Sequence, residues 1–90
     1  MSEPEKYVKI ALEDMVTLFG DAEEYVVSLD RILSRIGAGR DPEILLNYVV
    51  DRQVFQRIAH ARQVLAGALE EVVGVDEVER IAESRYRYHD

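Results

Sequence analysis

The sequence has no cysteine, no tryptophan, a single asparagine and no uninterrupted apolar run longer than three residues. The missing cysteines exclude disulfides and thiolate metal sites. Apolar runs as short as Ile44 to Leu46 fall far below the roughly 18 residues needed to span a bilayer. The opening MSEPEKY offers neither the basic n-region nor the apolar h-region of a signal peptide, so a cytoplasmic protein is the expectation. Hydroxyl nucleophiles are sparse, with four serines and one threonine. No Glu-x-x-His pair of the di-iron bundle type occurs. The Gly37-Ala38-Gly39 stretch has no following lysine and no preceding strand, as a phosphate-binding loop would require. These absences give no sign of a cofactor or a catalytic residue.

Bases are also in short supply: 18 acids stand against 11 bases, for a net charge of −7. General nucleic-acid binding relies on neutralising many phosphates, and docking on an anionic membrane needs the same sign of charge. Neither partner suits this chain. Ninety residues make one small domain, and a chain of that size buries only a modest share of its surface alone.

What the sequence does contain is helical periodicity. Ser2, Pro4 and Glu5 read as a capped helix start. Val8, Ala11, Leu12, Met15, Leu18 and Phe19 then follow at the spacing of one helix face. The pattern resumes after Gly20 with Ala22, Tyr25, Val26, Leu29, Ile32, Leu33 and Ile36, close to a heptad seam. One helix over 4–36 is predicted, bent or broken at Gly20. Gly37 and Gly39 suit its C-terminus, Asp41 is a natural N-cap and Pro42 fits the first helical position. The next pattern runs without a strong breaker over 42–73, where Gly74 stops it. Asp76-x-x-Glu79 opens a short helix over about 77–86, and a polar tail occupies 87–90.

Fold class is therefore all-α: a long helical hairpin with a short C-terminal helix. A lone hairpin covers each apolar stripe on one side only, so two chains are expected to pair as a homodimeric four-helix bundle. The order of short, long and short helix from Asp21 to Tyr88 has a histone-like layout, but the acidic balance speaks against compacting DNA.

Chemistry concentrates in Asp51 to Gln63, DRQVFQRIAHARQ, a stretch with three arginines and no acid after Asp51. On a helical wheel Gln53, Gln56, His60 and Gln63 form one stripe, flanked by Arg52 and Arg57. Arg52, Gln56, Arg57, His60 and Arg62 are candidate binding residues for an anion or an acidic partner. The plainer reading of the stripe is a solvated helix face. His60 has Gln56, Arg57, Gln63 and Val64 as its helical neighbours, none of which completes a metal site.

Arg62 differs because the wheel places it inside the apolar arc, among Phe55, Ile58, Leu65 and Leu69. A guanidinium there must reach water, pair with a carboxylate or bind an anion. A hairpin turning near Gly39 sets Arg62 across from Val16, near Asp14 and Glu13. An ion pair of Arg62 with Asp14 or Glu13, within the chain or across a dimer, is the expectation; such a pair fixes register more than it adds stability.

The functional expectation is a non-catalytic module that recognises another protein through a helix face, besides pairing with itself. Two alternatives belong to other classes. One is a small all-α enzyme or anion-binding bundle that uses the arginines of the second long helix. The other is a neutralising protein of the antitoxin or immunity type.

Overall fold

A computed structural model describes residues 6–89, and these are all-α: four helices and no strand among the described residues. The first, α1, spans Leu12–Gly37. Lys6 to Ala11 are not helical, so the helix starts later than the spacing predicts; the Ser2, Pro4 and Glu5 start signal lies outside the described residues. Tyr7, Val8 and Ile10 are aromatic or β-branched residues that lose side-chain freedom in a helix. Glu13 and Asp14, in contrast, occupy the first turn, where the helix dipole favours negative charge. Gly20 does not break α1. An interior glycine costs about 1 kcal/mol relative to alanine, too little to overrule the apolar pattern on both sides.

The end of α1 is set by Gly39, whose φ of 103° is left-handed. The Gly39 N–H donates to the Ile36 carbonyl and the Arg40 N–H to the Arg35 carbonyl, both at 3.0 Å. This paired 5→2 and 6→1 closure is the Schellman motif, which satisfies carbonyls that the helix end would otherwise strand. Asp41 Oδ1 then accepts the Glu43 N–H at 2.9 Å, opening α2 over Glu43–Asp51.

The single helix expected over 42–73 is in fact two. Gln53 turns left-handed (φ 51°, ψ 42°) and separates α2 from α3, which spans Val54–Val73. Arg52 and Gln53 still donate their N–H groups to the Tyr48 and Val50 carbonyls, and the Gln53 carbonyl receives the Arg57 N–H at 3.0 Å. The backbone groups at the break are thus largely satisfied. Gly74 (φ 88°) ends α3, and α4 spans Val75–Glu83, earlier at both ends than the predicted 77–86.

Helix α1 runs antiparallel to α2 and α3: Glu24 meets Tyr48, Asp21 meets Arg57, and Asp14 shares a cleft with Gln63, Val64 and Gly67. Helix α4 packs on α3 without touching α1, against a face centred on Ile58, Leu65 and Leu69 rather than on the Val64, Gly67 and Ala68 face that meets α1. The half-circumference apolar arc of α3 is divided between these two neighbours.

The enclosed core is very small, with only Val54 and Ala68 buried among the described residues. The chain exposes 7875 Å², whereas a compact monomer of its mass exposes about 5,400 Å². Its radius of gyration is 17.1 Å, against about 12 Å for a compact chain of this length. Among the described residues no helix is long and apolar enough to cross a membrane.

Candidate functional site

Two arrangements of side chains stand out, on opposite sides of α3. The first is a polar cluster centred on Glu24. The register of the hairpin carries Asp21, Glu24 and Tyr25 of α1 past Tyr48 of α2 and Arg57 of α3. Arg57 donates to Glu24 through both terminal nitrogens, Nη1 to Oε2 at 2.8 Å and Nη2 to Oε1 at 3.1 Å. Its Nη2 also reaches Asp21 Oδ1 at 2.5 Å. Arg52 Nη2 donates to Glu24 Oε1 and the Tyr48 hydroxyl to Glu24 Oε2, each at 3.0 Å. The Arg57 guanidinium lies over the Tyr25 ring, 5.0 Å from its centre.

Electrostatics follow from this geometry. The hydrogen bonds from Arg57 and then Arg52 pull the Glu24 carboxyl down to about 2, against an ordinary value of 4.5. The same carboxylate, assisted by Asp21, holds Arg57 more firmly protonated. Burial pushes the Tyr25 hydroxyl up despite the opposing Arg57 charge, and that hydroxyl has no hydrogen-bond partner among the described residues. Charge-assisted, forked bonds of this kind fix geometry as well as adding energy. Arg57 Nη1 also donates to the Arg52 carbonyl at 3.3 Å, so the cluster ties α1 to the backbone on either side of the Gln53 break.

The second arrangement is apolar. A groove of about 570 Å³ opens between α3 and α4, lined chiefly by Ile58, Leu65, Leu69, Val78 and Ile81, with Arg62 the only charged residue on its walls among the described residues. Arg62 is exposed and makes no ion pair among the described residues.

The structure therefore separates the sequence-predicted binding residues. Arg52 and Arg57 come together, but on internal carboxylates. Gln56 and His60 are exposed. Arg62 faces the groove, and Asp14 lies half-buried in a different cleft of about 250 Å³, beside Gln63 and Gly67. The Arg62 pair with Asp14 or Glu13 is not formed within the chain. The hairpin register brings those residues level, yet Arg62 points round α3 toward α4 while Asp14 faces the α1 side of the same helix.

Sequence reasoning missed Glu24, Asp21 and Tyr48, which lie outside the arginine-rich Asp51 to Gln63 stretch. The available signal was the i, i+3 spacing, which puts both carboxylates on one face of α1, opposite an arginine with no acid near it on its own helix.

A third surface is a stripe along α1. Leu12, Met15, Phe19, Ala22, Val26, Leu29 and Leu33 alternate in steps of three and four, the spacing of a coiled-coil seam. Leu12 is 79% exposed, Phe19 68%, Val26 68% and Leu33 55%, so much of this seam has no cover within the chain. The chain matches no known protein family, no curated protein and no solved structure.

Proposed function

We propose that this chain is a non-catalytic cytoplasmic interaction module that works as a homodimer, two hairpins forming a four-helix bundle that recognises another protein through its helix faces. The observation that carries the reading is the uncovered seam of α1, together with the large surface of the single chain. The excess over a compact monomer is about 2,500 Å² per chain, or about 5,000 Å² for two, at the upper end of the roughly 2,000–5,000 Å² in total that an obligate homodimer interface buries. Monomeric soluble proteins rarely leave contiguous apolar patches of more than a few hundred Å² open to water.

The enzyme or anion-site alternative draws less support. It needs converging arginines with charge to spare, whereas Arg52 and Arg57 are engaged by Glu24 and Asp21. Among the described residues only Arg62 remains for an incoming anion in the groove. Size-exclusion chromatography with light scattering tests the proposal: a dimer is expected at micromolar concentration. A stable monomer there overturns it.

A further inference from the structure

The α1 stripe and the α3/α4 groove are both apolar and both uncovered, and they differ in the sign of the charge they carry. Taking about 100° per residue, the exposed band of α1 that includes Leu12, Met15, Val16, Phe19, Val26 and Leu33 also includes Glu23 and Asp30. Both acids are exposed, and neither makes an ion pair among the described residues. No basic residue falls within that band. The groove carries the opposite sign, with Arg62 as its one charge among the described residues, and no residue of α1 lines it. The chain cannot bring its own stripe into its own groove, because α1 sits on the other side of α3.

Three ways of covering these surfaces with a second copy have different costs. Stripe on stripe places Glu23 and Asp30 against their own copies. Groove on groove places Arg62 against Arg62. Stripe in groove pairs opposite charges, and a two-fold axis repeats the contact so that both apolar surfaces of both chains are covered at once. Like-charge contacts at an interface suppress the wrong arrangement, so charge decides between modes that are otherwise equally apolar. The side-chain spacing agrees: Leu12, Met15, Val16 and Phe19 stand at i, i+3, i+4 and i+7, the anchor pattern of a helix laid in a groove.

We infer that the α3/α4 groove of one copy receives the α1 stripe of a second copy, reciprocally, with Arg62 seated against Glu23 and Asp30. The inference rests on the homodimer reading and specifies its geometry. Three chains test it by sedimentation or light scattering over a concentration series: wild type, Arg62→Glu, and the double variant E23R/D30R. All three positions are exposed and free of ion pairs, so each variant is expected to keep its helix content, which circular dichroism checks.

Each variant alone is expected to dimerise about 100-fold more weakly than wild type. Mixing R62E with E23R/D30R is expected to restore tight association as a heterodimer, since both contacts then pair opposite charges. If R62E dimerises like wild type, the groove is not in the interface. If E23R/D30R does so, the stripe is not. If both lose affinity and the mixture fails to recover it, the two surfaces do not meet. In any of these cases the pairing falls while the homodimer stands; a monomeric wild type overturns the homodimer itself.

Discussion

Arg57 and Arg62 lie five residues apart on one helix, which rotates them about 140° from each other. That rotation gives them different lives. Arg57 is half-buried and fully engaged, with two carboxylates and an aromatic face around its guanidinium. Arg62 is exposed on the edge of an apolar groove with no acid beside it. The residue type is the same and the local sequence is equally free of acids. What differs is the helix each one meets: α1 supplies Asp21 and Glu24, while α4 supplies Val78, Ile81 and Ala82. One arginine ties α1 to α3, and the other makes no ion pair among the described residues.

Removing each in turn sharpens the contrast most. Arg57→Ala strands Asp21 without its cation and leaves Glu24 only Arg52 and Tyr48, and an unpaired, partly desolvated charge is costlier than the pair was favourable. The melting temperature is expected to fall by several degrees at every protein concentration. Arg62→Ala leaves no charge stranded within the chain, so it is expected to alter only the concentration dependence of melting, through the proposed dimer. Thermal unfolding followed by circular dichroism at a series of concentrations separates the two. Equal effects at all concentrations would erase the distinction between them.

A smaller effect isolates the Glu24 side of the comparison. Its carboxyl sits at about 2 in the folded chain, below its ordinary 4.5. A depressed carboxylate contributes stability that is fully present above the unfolded value and is lost as pH falls toward the folded one. Wild type is therefore expected to lose its advantage over Glu24→Gln between about pH 4.5 and 2. Melting curves at steps across that range check it, and a constant gap between the two chains would exclude Glu24 as the hub. No such acid transition is expected to distinguish Arg62→Ala from wild type in a dilute monomer.

Much of this fold was legible because its signals are local. Gly39 ends α1 and Gly74 ends α3 because both need a positive φ that glycine adopts without strain, and a sequence announces glycine openly. The 3.6-residue periodicity on both sides of Gly20 likewise outweighs that single interior glycine. The polar cluster was harder to see, since Glu24 and Arg57 are 33 residues apart and become neighbours only through the rotation of two helices about their axes. Placing Arg62 level with Asp14 followed from the register, but pairing them required the angular position as well. That angle shifts at Gln53, where the chain leaves the helical path and resumes it. Nothing in the Arg52-Gln53-Val54 sequence warns of the change, as it contains neither glycine nor proline.

Gln53 therefore bears on both arginines and gives the smallest of the expected effects. It holds a left-handed conformation that costs an L-residue with a side chain roughly 1–2 kcal/mol. Glycine avoids that cost but loses more backbone entropy on folding, by about 0.5–1 kcal/mol. The difference leaves Gln53→Gly more stable than wild type by about 0.5 kcal/mol, a rise of roughly 2–4 °C for a domain of this size. The sign carries the information. A break imposed by tertiary contacts, with Arg57 bonded both to α1 and to the Arg52 carbonyl, keeps its shape when the residue at its centre is made easier to bend. A continuous helix from α2 into α3 would instead be weakened by the same glycine, by about 1 kcal/mol. A higher melting temperature for Gln53→Gly thus means that the break, and with it the orientation of α3 that turns Arg57 toward α1 and Arg62 toward α4, belongs to the folded chain in solution; a lower one means that α2 and α3 join as one helix.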